Sequence, residues 1–443
     1  MAVATDPRLE EVRKIAKGRG VEFFFAQFVD MYGRPSAKLV PAANLDDLAT
    51  DGAGFAGFAA GEIGQMPSDP DIAAIPDLDS LTLVPWQQNL ARFACDITVE
   101  GEPWPYCPRT ILRNQLARAK ELGYDYKIGL ELEYFLIRRR DDGSIEIADA
   151  QDTLDKPCYD MAGLTRRYDF LTTVSKYCNE LGWGNYANDH EDANGQFEQN
   201  FLFDDALVSC DRAIFFRYMV HTLAEQHGMV ATFMPKPFTN LTGNGCHFHM
   251  SLWDGETNLF LDEDDPRGLG LSGTAYHFVG GLKKHARAYS ALTAPTVNSY
   301  KRFWDFGFWA PIYKDYGWQN RTTLVRVASG GRFEFRAVDS ACNPYLTQAA
   351  LLKCGLDGVK RKLDPGPPQQ RNVYDVLDEG GEIPRVPAHL GEALEALEAD
   401  EVVRSAMPGR LYDVYMHYKR DEWEQFLAAV TDWEREKYLD ILP

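Results

Sequence analysis

Positive charge is scarce in this chain and long apolar runs are missing. Lysine and arginine number 46 against 66 aspartates and glutamates, a formal charge of −20. Without a basic patch, such a chain is repelled by a phosphate backbone or an anionic lipid surface. The basic run Arg138-Arg139-Arg140 is followed at once by Asp141-Asp142-Gly143, which reads as a solvated hairpin turn. No nucleic-acid or membrane partner is expected. No segment approaches the ~18 uninterrupted apolar residues of a membrane helix, and Met1 to Lys17 is polar, without the apolar core of a signal peptide. The eight cysteines include no Cys-x-x-Cys pair and no zinc-type spacing, which argues against a disulfide framework and a thiolate metal centre. A soluble protein of the reducing cytoplasm is the expectation. No internal repeat is visible.

What is present is enough chain, at 443 residues, for one large core and a smaller domain. Val21 to Val29 is aromatic and β-branched, Tyr32-Gly33-Arg34-Pro35 breaks it, and Ala37 to Val40 follows, a pattern that predicts a hairpin. Further strand-like runs at Leu81–Val84 and Ala91–Val99 make the first hundred residues mostly β. Prolines 103, 105 and 108 then punctuate the chain before a helical stretch, Arg109 to Leu122. A boundary is expected there, giving domains 1–105 and 106–443. Beyond it, helices are predicted near 164–181, 206–227, 274–292, 345–363 and 390–399, with one or two amphipathic helices in 411–442. Strands and helices mix without strict alternation, so an α+β fold with a largely antiparallel sheet is expected.

Three short segments repeat a period of two. In Glu131-Leu-Glu133 both carboxylates point to one face of a strand while Leu130, Leu132 and Tyr134 point to the other. His247-Phe-His249, after the glycine-rich turn Thr242-Gly243-Asn-Gly-Cys, projects two imidazoles the same way. Glu334-Phe-Arg336 is the third pair. Taken singly they read as a solvated acidic face, core histidines and a surface ion pair. Glu191 and Glu198, in His190-Glu191-Asp-Ala-Asn-Gly-Gln-Phe-Glu198, read as part of a polar loop between strands.

In order and separation these segments resemble the glutamine synthetase family. The resemblance extends to Met234-Pro-Lys-Pro237, His247-Phe-His249-Met-Ser251, Asn298-Ser-Tyr-Lys-Arg302, Arg332-Phe-Glu-Phe-Arg336 and Asn343-Pro-Tyr345. It implies an N-terminal β-grasp-like domain, a catalytic α+β domain and two stacked hexameric rings, a dodecamer with active sites between neighbours. It also implies that Glu133, Glu191 and Glu198 hold one divalent ion and that Glu131, His247 and Glu334 hold another. An oxygen-rich donor set with one imidazole suits Mg²⁺ or Mn²⁺. By the same resemblance Glu133, Gly243, His247, Arg302 and Arg336 contact substrate, and His249, Ser251, Arg321 and Arg326 contact ATP. Arg302 would pair with the glutamate carboxylate, and Arg321, Arg326 and Arg336 would hold phosphate oxygens. The implied reaction phosphorylates the γ-carboxylate of glutamate with ATP, and an amine then displaces phosphate.

Two positions depart from the family pattern. The family places an aspartate in its N-terminal domain and a glutamate before an Ala-Pro pair, which together bind and deprotonate ammonium. Here Ala56 and Trp309 stand there, in Gly54-Phe-Ala56-Gly and Phe303-Trp-Asp305-Phe-Gly-Phe-Trp309-Ala-Pro311. An alkylammonium needs fewer carboxylates, because its methyl group gains about 0.8 kcal/mol per buried carbon and its cation about 0.5–2 kcal/mol over an aromatic face. The second substrate is therefore expected to be a small amine, methylamine in particular. The alternatives are ammonia, a bulkier amine, a guanidino-directed kinase or a non-enzymatic relative. Asp305 and Glu62 are both candidates for the base. Tyr374, in Asn372-Val-Tyr374-Asp375, falls near a modified tyrosine of some relatives, and a core or surface tyrosine is the expectation.

Overall fold

Phe24, Ala26 and Phe28 alternate along the strand Phe23–Val29 and are almost wholly buried, the period expected of a strand facing a core. The computed structural model describes residues 6–61, 64–304 and 310–441. This strand pairs with Pro35–Pro41 as the expected hairpin, from Phe23 opposite Pro41 to Val29 opposite Pro35. Its other edge pairs in parallel with Leu90–Val99, which continues antiparallel to Ile72–Pro76 and then Ala53–Phe55. The helix Pro7–Arg19 covers this mixed sheet. The polar composition of residues 1–17 hides it, yet Leu9, Val12 and Ala16 fall on one face and are buried. Asp6 caps its start and Gly20, at φ +67°, ends it.

Helix Pro108–Glu121 leads into the second sheet. Buried Arg109 binds both Asp211 oxygens at 2.9 Å, Asp77 at 2.8 Å and Asp96 at 3.1 Å, tying the first sheet to helix Ala206–Gln226. Removing one partner of such a buried ionic group costs about 3–5 kcal/mol.

The second sheet is built on one fifteen-residue strand, Asp125–Arg139. Leu130, Leu132, Tyr134 and Leu136 are at most 2% exposed and face the helical layer. On one side lie Gln196–Phe201 and Asn185–His190; on the other lie Cys246–Asp254, Arg332–Phe335, Val325–Ser329 and Tyr316–Trp318. Along this path all pairs are antiparallel except the last, as the α+β reading expects. Helices Gly273–Thr293 and Pro344–Arg361 pack so closely that a Cβ on Gly281 would lie 2.1 Å from the Cys354 carbonyl.

The stretch 164–181 is two helices, Met161–Arg166 and Tyr168–Glu180, rather than one. Arg138 to Ser144 does form a hairpin turn, between Asp125–Arg139 and Ile145–Ile147. At the C-terminus Gly409–Ala428 packs on the core, whereas Asp432–Tyr438 buries none of its residues. No described helix is long and apolar enough to cross a membrane.

Candidate active site

Strand register brings the candidate residues together. Glu131 lies opposite His247, Glu133 opposite Glu198, and Glu334 opposite both His249 and Arg326. Directly opposed residues of antiparallel strands have Cβ atoms about 4.5–5.5 Å apart, so five neighbouring strands gather these groups in one layer. Glu198 stands within Gln196–Phe201, not in a loop; the loop is confined to residues 191–195. Glu191 opens that turn and donates its backbone N–H to the Gln196 carbonyl at 2.9 Å.

Glu131, Glu133, Glu191, Glu198, His247, Gly243 and Arg302, Arg321, Arg326 and Arg336 all line one cavity of about 570 Å³. A second cavity of about 380 Å³ holds His249, Ser251, Trp253 and Arg332 and shares Glu131 and Tyr186 with the first. The predicted substrate residues thus line one cavity, and the predicted nucleotide residues divide: His249 and Ser251 in the second, Arg321 and Arg326 in the first.

The charges in the first cavity are unbalanced. Burial together with Glu133, Asp189 and Glu131 pushes the Glu191 carboxyl up to about 8, and burial and the same cluster push Glu198 well above the carboxylate range. Glu334 goes the other way. Burial opposes its ionisation, but Arg336 and His247 hold it down to about 2; Arg326 donates to it at 2.7 Å, and Arg336 is its second arginine partner. Glu131 is likewise held low against its burial by His249 and His247. His247 Nδ1 stands 3.4 Å from both Glu131 and Glu334.

A hard divalent cation fits this donor set, because the ligands are mostly carboxylate oxygens with one neutral imidazole, and among the described residues no cationic side chain pairs with Glu191 or Glu198. The ligand atoms group differently from the pairs implied by the resemblance. Among the described residues Glu131, Glu198 and His247 offer atoms within 4.8 Å of one another, and so do Glu131, His249 and Glu334. Glu133 stands outside both groups because its Oε2 is held by the Gly245 N–H at 2.6 Å and the Gln196 amide at 3.1 Å.

Arg302 is buried; one terminal nitrogen donates to the Val338 carbonyl at 3.2 Å, and its buried Nε has no hydrogen-bond partner among the described residues. Gly243 makes room for it, since a Cβ there would lie 2.6 Å from Arg302 Cγ and 2.3 Å from the Pro235 carbonyl. Ser251 accepts from the Trp253 indole at 2.8 Å. Ala56 is exposed and lines neither cavity of its own chain. Glu62, Asp305 and Trp309 lie outside the described residues. Tyr374 is half-buried against the main core.

Several residues in and behind the cavities escape sequence reading. Gln196, which holds Glu133 from behind, sits inside the Gly-Gln-Phe-Glu segment, and the cavity residue Arg332 falls two positions before Glu334, so both had a local signal. Tyr159, held at φ +64°, and Tyr186 had none.

Residues 105–438 match the glutamine synthetase catalytic domain. The chain is 46% identical over 441 residues to a glutamate–methylamine ligase of Methyloversatilis universalis, spanning 97% of this chain and 99% of the relative. A glutamine synthetase of Rhizobium leguminosarum bv. phaseoli is 43% identical over 97% of this chain and 99% of its own length. Among solved structures, one described as a GmaS/ADP complex superposes with a TM-score of 0.92 at 47% identity, covering 97% of this chain and 99% of that one. An apo form of GmaS gives a TM-score of 0.90 at the same identity and coverage. From its strand register to its full-length relatives, the chain belongs to the glutamine synthetase family.

Proposed function

We propose that this protein is an ATP-dependent ligase joining the γ-carboxylate of glutamate to methylamine through a γ-glutamyl phosphate. The observation that carries the reading is full-length similarity to a glutamate–methylamine ligase. Ala56 and Trp309, at the positions where the family has acidic residues, support it. Mg²⁺ or Mn²⁺ at the carboxylate cluster would offset phosphate charge and polarise the transferring group.

The chain's own residues have defined work. Arg302 lines the glutamate cavity and offers a glutamate carboxylate the edge of its guanidinium, one terminal nitrogen of which the Val338 carbonyl fixes. Nucleotide enters beside His249 and Ser251, and glutamate beside Arg302, so their reacting groups meet at Glu131, which both cavities share. Arg321 and Arg336 face the acyl phosphate, where a preorganised cation stabilises developing charge. We assign the amine-binding residues to the segment around Trp309, with Asp305 or Glu62 as base, in a cytoplasmic dodecamer whose subunits divide into domains 1–105 and 106–443.

The test is an amine panel with ATP and glutamate at matched free-base concentrations, following phosphate release and amide formation. Methylamine should give the highest kcat/KM. A higher value for ammonia would replace this reading with the second one, glutamine synthetase, which the 43%-identical Rhizobium relative favours. Preference for a larger amine would keep the ligase and change its substrate.

A further inference from the structure

His249 lines the second cavity and contacts both Arg332, which lines that cavity alone, and Glu131, which the two cavities share. Its Nε2 is 2.7 Å from Glu131 Oε1, and its Nδ1 is 3.2 Å from a terminal nitrogen of Arg332. A guanidinium carries only donors, so the ring nitrogen facing it must accept. The imidazole hydrogen is thereby assigned to Nε2, which donates it to Glu131. Arg332 is itself held in place, its Nε donating to the Ser329 hydroxyl at 2.9 Å.

We infer that Arg332 is a positioning residue for the carboxylate of Glu131, acting through His249 and linking the nucleotide cavity to the metal-binding cluster. This rests on the reading that the cluster binds a divalent cation. Two consequences follow from the geometry. Glu131 Oε1 is fixed by a hydrogen bond, which turns Oε2 towards His247 at 3.4 Å. His249, whose ring lies within ligand spacing of Glu131 and Glu334, has both ring nitrogens engaged in hydrogen bonds. A histidine two residues from a ligand is thus made an orienter of that ligand's neighbour. Such outer partners commonly change metal affinity 10–100-fold when removed.

The link also carries information. Arg332 lines the second cavity and has a terminal nitrogen without a hydrogen-bond partner among the described residues. An anionic group arriving there competes with His249 Nδ1 for the guanidinium. By reciprocity, any change this makes in cation affinity is matched by an equal change in affinity for the arriving group.

The experiment measures Mn²⁺ binding to the purified, nucleotide-free full-length protein by electron paramagnetic resonance. Arg332→Met should weaken binding about tenfold although Arg332 is exposed and touches no carboxylate of the cluster. Arg332→Lys, which keeps a donor, should stay within about threefold of wild type. His249→Gln should weaken binding as well, and adding Arg332→Met to it should change nothing further, because both act through one contact. A purely nucleotide-binding role for Arg332 predicts unchanged Mn²⁺ affinity in the nucleotide-free protein, and that result overturns the inference. Tighter Mn²⁺ binding by Arg332→Met overturns it too, since His249 would then be serving as a ligand. If wild type binds no Mn²⁺ at all, the metal reading itself fails and the inference with it.

Discussion

Glu133 and Glu198 face each other as directly paired residues of two antiparallel strands, the central strand and its neighbour Gln196–Phe201. Like charges at directly opposed, buried positions destabilise a sheet, and burial together with the neighbouring carboxylates accordingly holds the Glu198 carboxyl well above the usual range. The fold tolerates the pair because Gly245 and Gln196 hold Glu133 by one oxygen and Asn200 donates to Glu198 at 2.6 Å.

A bound divalent cation should therefore stabilise the fold. Differential scanning calorimetry with and without Mn²⁺ should show a rise in Tm that chelator reverses. Glu198→Gln should raise the Tm of the metal-free protein, abolish the Mn²⁺-dependent increment and remove ligase activity. An undiminished increment in that variant would show that the cation binds elsewhere.

The two carboxylates proposed for the second ion should differ in what their loss does to the fold. Glu131 is partly exposed and its partners are histidines, so Glu131→Ala should lose phosphoryl transfer with little change in Tm. Glu334 is wholly buried between Arg326 and Arg336, and Glu334→Ala leaves Arg336 buried without it, at a cost of about 3–5 kcal/mol. Urea unfolding of both variants separates the cases. Equal stability would mean that Arg336 finds another compensating charge.

Arg302 should act on glutamate and not on the amine. Lysine keeps the charge but loses the planar fork, so Arg302→Lys should raise KM for glutamate at least tenfold, roughly 1.4 kcal/mol. The ratio of kcat/KM between methylamine and ammonia should not move. A changed amine ratio would place Arg302 at the amine instead.

His285 provides a pH test away from the site. Its Nδ1 lies 2.6 Å from Asp400 and its Nε2 3.0 Å from Asp357, which joins helix Gly273–Thr293 to Pro344–Arg361 and the Asp400 cap. Burial disfavours the imidazolium, but the two carboxylates outweigh it and raise its pKa. A raised histidine pKa contributes stability that is full below the unfolded value near 6.5 and is lost as pH rises through the folded value. Wild type should exceed His285→Gln by about 2 kcal/mol at pH 6, with the gap narrowing at higher pH. A gap constant from pH 6 to 9 would mean that the ring acts by packing alone.

The sequence makes the site legible wherever a period of two does the work. Glu131 with Glu133, and His247 with His249, share faces because strands alternate, and only their register, set across strands far apart in sequence, stays hidden. The α+β layout and most helices follow from apolar spacing, whereas Pro7–Arg19 is missed because three small apolar contacts sit in a charged segment. The supports are the least legible part. Buried Asp152 reaches His190 at 2.7 Å and the Gly195 N–H at 2.6 Å, pinning both ends of the turn that carries Glu191, from 38 and 43 residues away. Which ligands cluster also escapes the sequence, since it turns on which Glu133 oxygen Gly245 occupies.

The sharpest test concerns amine choice. Ala56 is exposed and lines neither cavity of its own chain, so any influence it has on the amine must reach a cavity in another copy. Trp309 adjoins Ala310-Pro311 at the end of the segment that begins with Arg302, and its indole, if it faces the amine as proposed, would favour an alkylammonium by about 0.5–2 kcal/mol. Restoring carboxylates by Ala56→Asp with Trp309→Glu should therefore shift kcat/KM from methylamine towards ammonia by at least tenfold, equivalent to about 1.4 kcal/mol. Trp309→Glu alone should give part of that shift. Mixed assemblies can separate the two positions: Ala56→Asp placed only on subunits inactivated by Glu131→Ala should still alter the selectivity of their active neighbours. If it alters selectivity only on the subunit that carries it, the site is not shared, and Ala56 owes its exposure to something other than a neighbouring active site.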